Sequence, residues 1–421
     1  MSTTAESHLM RNTNFRWLLG GGLVSMLGDQ FSMLALPWLV LSLTGDSLSL
    51  GIAVALMGAP RAVLILLGGT VADRHSPRRV LLASKLANAA ILLALAGLLM
   101  LDQASLALAY AAALALGIAS AFGIPAGTAI LPQAVPSQSL QAANSLQMGA
   151  RQLSLLAGPL LAALVLGTHD GARHTGMALL AAAFAIDALT FLFSAWTLRQ
   201  VSLRPLAVAA AQGMWRDMAA GLAMVWRDIP LRSCYVYWAV VAFFVMGPLQ
   251  VALPVLASER LHGAAALGVL MGAHGAGTLA GMLASSLGGA WLRRRFGATL
   301  LLVDAVVGLL LMALGQIGTA WQGAALLAVT GMLGGYVQVA IFTWIQRRVA
   351  PAMLGRAMAL FMGIFLGLAP LSAAATGALL RHLSVGELFC AGGALLLAAA
   401  VAAILWTDIP RIGASDYAVQ P

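Results

Sequence analysis

Leu36-Pro37 recurs as Leu253-Pro254, Leu50-Gly51 as Leu267-Gly268 and Gly58 as Gly275, all at an offset of 217 residues. Further on, Val135, Leu140, Ala143 and Leu146 recur as Val349, Leu354, Ala357 and Leu360 at an offset of 214. A repeat at half the chain length requires two copies of one structural unit, and it constrains the fold more than any local pattern. The repeat lies in an almost continuously apolar chain, with 61% hydrophobic and only 9% charged residues. Soluble domains carry about 25% charged residues. A water-soluble protein of 421 residues could not hide so much apolar surface, so the solvent must be lipid. Membrane halves repeated in the same direction are a common architecture of secondary transporters.

A spanning helix needs about 20 mostly apolar residues. Twelve segments qualify, near 17–43, 48–71, 80–101, 104–127, 144–167, 176–197, 232–256, 264–289, 298–318, 322–345, 356–380 and 385–406. The expected fold is therefore an all-α membrane protein with twelve transmembrane helices in two six-helix repeats. The N-terminal bundle covers 1–197 and the C-terminal bundle 232–421, with a cytoplasmic linker over 198–231. Charge tests the count. With both termini inside, inner loops and span ends hold 18 of the 23 basic residues, among them Lys85, Arg293, Arg294, Arg295, Arg347, Arg348 and Arg356. The outer loops hold three, Arg173, Arg260 and Arg381. This asymmetry is the positive-inside bias, and adding or removing a span would scramble it.

The same distribution explains the net charge of +9 without nucleic acid, because the arginines sit in short loops rather than on a soluble basic face. The linker carries Trp215, Met218, Leu222, Val225 and Trp226 at helical spacing between charges, the pattern of an amphipathic helix at the lipid interface. The apolar run after Arg16 exceeds a signal-peptide core and reads as a retained first span. Cys234 and Cys390 give neither a disulfide framework nor metal-ligand spacing. Arginine outnumbers lysine 22 to 1 and alanine is abundant, a composition compatible with a GC-rich bacterial genome.

The loop after the second span reads Gly69-Thr70-Val71-Ala72-Asp73-Arg74-His75-Ser76-Pro77-Arg78-Arg79. It resembles the cytoplasmic loop motif of the major facilitator superfamily: a glycine, then Asp-Arg, then paired arginines. Within that superfamily, Gly28-Asp29-Gln30 through Leu36-Pro37-Trp38-Leu39-Val40, and Leu131-Pro132 to Asn144, resemble the drug, macrolide and siderophore exporter branch. The resemblance implies that Gly69, Asp73, Arg74, Arg78 and Arg79 form a conformational gate. Asp73 would face a helix N-terminus and the arginines would pair with carboxylates or helix C-termini. Ser76 replaces the usual second glycine, and the second copy, Gly289 to Gly297, lacks the aspartate. Span five, with Ser145, Ser154, Gly158-Pro159 and Ala162-Ala163, resembles the antiporter motif in degenerate form; its small residues favour close helix packing. The arginine that many proton-driven exporters carry in span four is missing, since Ala111 to Phe122 holds no basic residue.

A charge inside the bilayer costs roughly 2.5–3.5 kcal/mol on insertion scales, so each one needs a reason. Asp29 lies midway along span one, which in this fold lines the cavity, and is the expected proton- or cation-binding group. Arg61 lies at similar depth in span two. A permanent Asp29–Arg61 ion pair is the structural alternative, and a pair that breaks during the cycle reconciles the two readings. Arg151 is expected to snorkel, Asp187 and Asp304 to play structural roles on peripheral helices, and His274 to be a satisfied core residue. Tyr110, Phe122, Tyr237, Trp238, Phe243, Gln250, Tyr336, Gln338 and Phe342 are cavity candidates, aromatics with sparse amides that suit an amphipathic ligand.

Together these features imply a monomeric inner-membrane exporter of an amphipathic small molecule, working by alternating access and driven by the proton gradient without a cofactor or metal. The chain has no Gly-x-x-x-x-Gly-Lys-Ser/Thr loop for ATP. It also shows no nucleophile–base pair that would mark an enzyme. An importer, a lipid flippase or a non-transporting receptor on the same fold are the alternatives.

Overall fold

The computed structural model describes residues 9–166, 173–203, 214–261, 263–287 and 295–413. Among these residues there is no strand, and twelve helices are long and apolar enough to cross a membrane. Helices satisfy every backbone group within one segment, the requirement that lipid imposes. We label them α1 (Thr13–Thr44), α2 (Ser47–Arg74), α3 (Pro77–Met100), α4 (Leu106–Ala134), α5 (Leu140–Leu166) and α6 (Arg173–Arg199). After α7 (Met214–Arg227) come α8 (Ile229–Glu259), α9 (Ala264–Leu287), α10 (Phe296–Leu314), α11 (Ala320–Arg348), α12 (Pro351–Leu379) and α13 (Val385–Trp406). Every expected span has its helix.

Local chemistry sets the ends. Asn12, Asp46 and Ser105 accept the N–H of Phe15, Ser49 and Leu108, capping α1, α2 and α4. Thr319 with Gln322 and Ser384 with Glu387 form reciprocal capping boxes on α11 and α13. Gly45, at φ +61°, closes α1 in the left-handed conformation that glycine adopts without strain. In α8 a π-helical turn over Pro248–Ala252 interrupts the helix where Pro248 cannot donate.

The chain clusters into two compact units, Met1–Ala209 with His262–Gly272, and Ala210–Leu261 with Ala273–Pro421. In the first unit, α1 packs on α5 and α6, α2 on α4, and α3 on α4 and α6. Close approach depends on missing side chains: a Cβ on Gly68 would strike the Ala121 carbonyl, and one on Gly117 would strike that of Met57. One end of this unit is tied together by hydrogen bonds. Asn14 Nδ2 donates to the Ser202 carbonyl and Ser202 N–H returns to Asn14 Oδ1, both at 3.0 Å. Arg78 Nη2 donates to the Arg199 carbonyl at 2.6 Å. The start of α1, the start of α3 and the end of α6 therefore share one membrane face, as six crossings require.

The second unit shows the same closure. Arg348, at the end of α11, forms a two-pronged ion pair with Asp228 at 3.0–3.1 Å, and Asp228 also caps α8 through Leu231 N–H. Gly297 N–H donates to the Ile412 carbonyl at 3.0 Å, joining the start of α10 to the segment after α13. The core of this unit is aromatic: Trp238 contacts Tyr235, Trp344 and Phe361, and Phe296 stacks on Trp344. The linker helix α7 packs on this unit. Gly221 sits against Arg356 and Leu360 of α12 and Val225 is buried, while Leu222 and Trp226 stay exposed.

Candidate functional site

The N-terminal bundle concentrates charge where lipid tolerates it least. Counting 1.5 Å per residue from the closed face, Lys85 lies about 12 Å deep, Asp187 about 18 Å, Arg61 about 20 Å and Asp29 about 24 Å. Two stripes bring their helices together. On α1, Gly21, Ser25, Gly28 and Ser32 recur at spacings of four, three and four; on α6, Asp187, Thr190, Ser194 and Thr197 recur at three, four and three. Both spacings keep a single helix face. A Cβ on Gly21 would strike Thr197, and one on Gly28 would strike Thr190 and Asp187, so the two stripes meet.

Asp187 is 1% exposed in that seam. Ser32 Oγ donates a short hydrogen bond to its Oδ2, and Thr190 Oγ1 lies 3.3 Å from its Oδ1. Lys85 enters from α3: its Nζ donates to Ser25 Oγ at 3.0 Å and stands 5.3 Å from the centre of the Phe191 ring on α6. Neither carboxylate forms a direct ion pair with the ammonium, although Lys85 feels the charge of both Asp29 and Asp187. Asp29 is half-buried and feels Lys85, Arg61 and Arg151; Arg61 leaves a buried Nε without a partner.

Several expectations need correction. Asp29 and Arg61 do not make the permanent direct pair that the structural alternative required. Lys85 is not a topology-setting residue at a span end, and Asp187 is not peripheral. Trp238, expected at a substrate cavity, is 2% exposed in the aromatic core. Tyr237 is buried as well, with its hydroxyl against Asp304. His274 keeps a backbone hydrogen bond with Leu327, while its buried Nδ1 has no partner.

The other sequence candidates fall in several places. Tyr110 and Phe122 are half-buried on α4, Tyr336 is half-buried and Gln338 exposed on α11, and Gln250 is half-buried in the π-helical turn of α8. Gly158 abuts Gln30 of α1 so closely that a Cβ would clash, and Pro159 beside it is buried. In the loop motif, Gly69 has open space around it, and the sterically required glycine is Gly68. Arg74 and Arg79 are exposed, and Arg78 makes the bond to Arg199 described above. Asp73 lies in the last turn of α2 with its side chain outside the described set, and Gly289, Arg293 and Arg294 lie outside the described residues.

Twelve spanning helices with ionisable groups held in their interior are the architecture of a membrane transport protein. The chain belongs to the Major Facilitator Superfamily, whose family model matches residues 18–374. It is similar to the enterobactin exporter EntS of Citrobacter koseri, 24% identical over 359 residues, covering 83% of this chain and 81% of the relative. It is also similar to the multidrug efflux pump Tap of Mycolicibacterium fortuitum, 24% identical over 410 residues, 96% of this chain and 97% of the relative. Among solved structures, a POT family transporter in complex with a thioalcohol-conjugated peptide superposes with a TM-score of 0.70 at 12% identity, covering 94% of this chain and 96% of that one. At that identity the likeness shows the fold alone. The chain is thus a multi-pass membrane protein of that superfamily.

Proposed function

We propose that this chain exports an amphipathic small molecule by alternating access in exchange for inward-moving protons, acting as a monomer with both termini cytoplasmic. The observation that carries the reading is the likeness, over at least four-fifths of each chain, to two relatives both named as exporters. Ionisable groups buried in the N-terminal bundle support proton exchange, because desolvated charge in a span is costly unless it is used. Asp29 and Arg61 belong to this coupling array. Gly69, Asp73, Arg74, Arg78 and Arg79 act in the gate. Tyr110, Phe122, Gln250, Tyr336 and Gln338 are the residues assigned to substrate contact.

The test uses a host deleted for its own exporters. Cells making the protein should accumulate less ethidium, or release more enterobactin, than cells without it, and a protonophore should erase the difference. Everted vesicles should release protons when either probe is added. Equal accumulation with and without the protein, together with no proton movement, would overturn the reading.

A further inference from the structure

We propose that Asp187, not Asp29, is the carboxylate that carries the proton, and that Lys85 is a tethered counter-ion serving both. This deepens the proton-exchange reading and rests on it for the purpose of the proton. An ionised carboxylate surrounded by hydrocarbon needs a cation within reach. Asp29 feels the charge of three, none of them in direct contact: Lys85 from α3, Arg61 from α2 and Arg151 from α5. Asp187 faces Lys85, the negative Asp29 across the α1 seam, and two hydroxyls, Ser32 and Thr190. Of two neighbouring carboxylates that cannot both be well compensated, the one with fewer cations near it and the other acid beside it takes the proton.

The hydroxyls suit that task. A serine O–H rotates and both donates and accepts, so Ser32 donates to an ionised Asp187 and accepts from a protonated one without moving a heavy atom. Lys85 is placed for the complementary role. Its ammonium is held by Ser25 Oγ and the Phe191 ring, both neutral, rather than committed to either acid. When the Asp187 carboxylate takes a proton from water at one membrane face it becomes a neutral acid, and Lys85, still singly charged, serves Asp29 alone. When the proton returns to water at the other face, Lys85 is shared again. One proton enters and one leaves, and no other group changes charge.

This chain contains a single lysine, which makes the proposal directly testable. The full protein is placed in lipid nanodiscs, and infrared difference spectra are recorded between mildly acidic and mildly alkaline buffer. A protonated carboxyl C=O band is expected, lost in Asp187→Asn and kept in Asp29→Asn. With lysine labelled at its ε-carbon, the one NMR signal should shift with pH in the wild type and become insensitive in Asp187→Asn. If the band disappears in Asp29→Asn and survives in Asp187→Asn, or if no pH-dependent band exists, the assignment is wrong. Should Asp187→Asn not fold, Ser32→Ala replaces it: the band is expected to shift in frequency, and an unmoved band overturns the proposal. Failure of the export reading looks different, because the band and the lysine response would persist while everted vesicles showed no substrate-driven proton release.

Discussion

Replacing Gly28 by alanine tests the seam that holds the charged array. A Cβ there would come within 2.7 Å of Asp187 Oδ1 and 2.8 Å of Thr190 Cβ, and closer still to Thr190 Oγ1. Comfortable carbon contacts lie near 3.5–4.0 Å, so α1 and α6 would have to separate by roughly 1 Å or Thr190 would have to turn away. Turning is costly because Thr190 Oγ1 donates to its own helix at the Asp187 carbonyl, 2.7 Å, and lies 3.3 Å from the carboxylate. Overpacking costs about 1–3 kcal/mol, and a lost hydrogen bond about 1. We expect a loss of about 2–3 kcal/mol, equivalent to roughly 4–12 °C in apparent melting temperature for a bundle of this size. Gly20, two turns away with nothing within 4 Å of its missing Cβ, is the internal control, and Gly20→Ala should be neutral or slightly stabilising. Thr190→Ala in the Gly28→Ala background should recover part of the loss, as coupled neighbours do. The measurement is thermal unfolding in nanodiscs followed by tryptophan fluorescence. If Gly28→Ala melts with Gly20→Ala, the close seam does not exist, and the placement of Asp187 against α1 falls with it.

Asp228 both caps α8 and pairs with Arg348, and two substitutions separate these roles. Asp228→Asn keeps the cap and should cost about 1–2 kcal/mol; Asp228→Ala should cost about 1 more, and equal melting temperatures for the two would deny the cap. Trp238→Ala should cost about 3–5 kcal/mol by emptying the aromatic core, while Trp238→Phe is milder and leaves the order of preference among transported probes unchanged. A changed preference at normal stability would return Trp238 to the substrate path.

The twelve spans were legible because lipid enforces one rule, an apolar run long enough to cross with every backbone group paired inside it. Helix ends were less so. α11 runs from Ala320 to Arg348, beyond the apolar stretch of 322–345, because a capping box at Thr319 and the Asp228–Arg348 pair extend it past the hydrocarbon. Sequence gave the depth of a side chain but not its azimuth. Lys85 falls near the start of a span, where a snorkelling or loop residue also falls, and only the angular position of α3 beside α1 turns it inward to Ser25. A signal was nevertheless present: the small stripe from Gly21 to Ser32 and the polar stripe from Asp187 to Thr197 each keep one helix face over about three turns. Aligning those stripes would have paired α1 with α6. Nothing comparable identified Trp238, since a mid-span aromatic serves a cavity or a core equally well and its partners Trp344 and Phe361 lie more than a hundred residues away.

The internal duplication sharpens the argument that the buried charges serve transport and not folding. At the offset of 217 residues, Asp29 corresponds to Met246 and Arg61 to Thr278. The second bundle thus builds the same six-helix architecture with uncharged residues where the first carries an acid and a guanidinium. Its interior instead gains stability from stacked aromatics and from glycine-mediated crossings, such as Gly331 and Gly335 against the α9 backbone. A fold that closes in one copy without charge at these two positions does not require it there in the other, and charge in a span is destabilising on its own account. On the proposed exchange of substrate for protons, the array of Asp29, Arg61, Lys85 and Asp187 is kept in the first copy for coupling. It also follows that substitutions neutralising the array in matched pairs, an acid together with a base, should leave the N-terminal bundle folded while removing coupling.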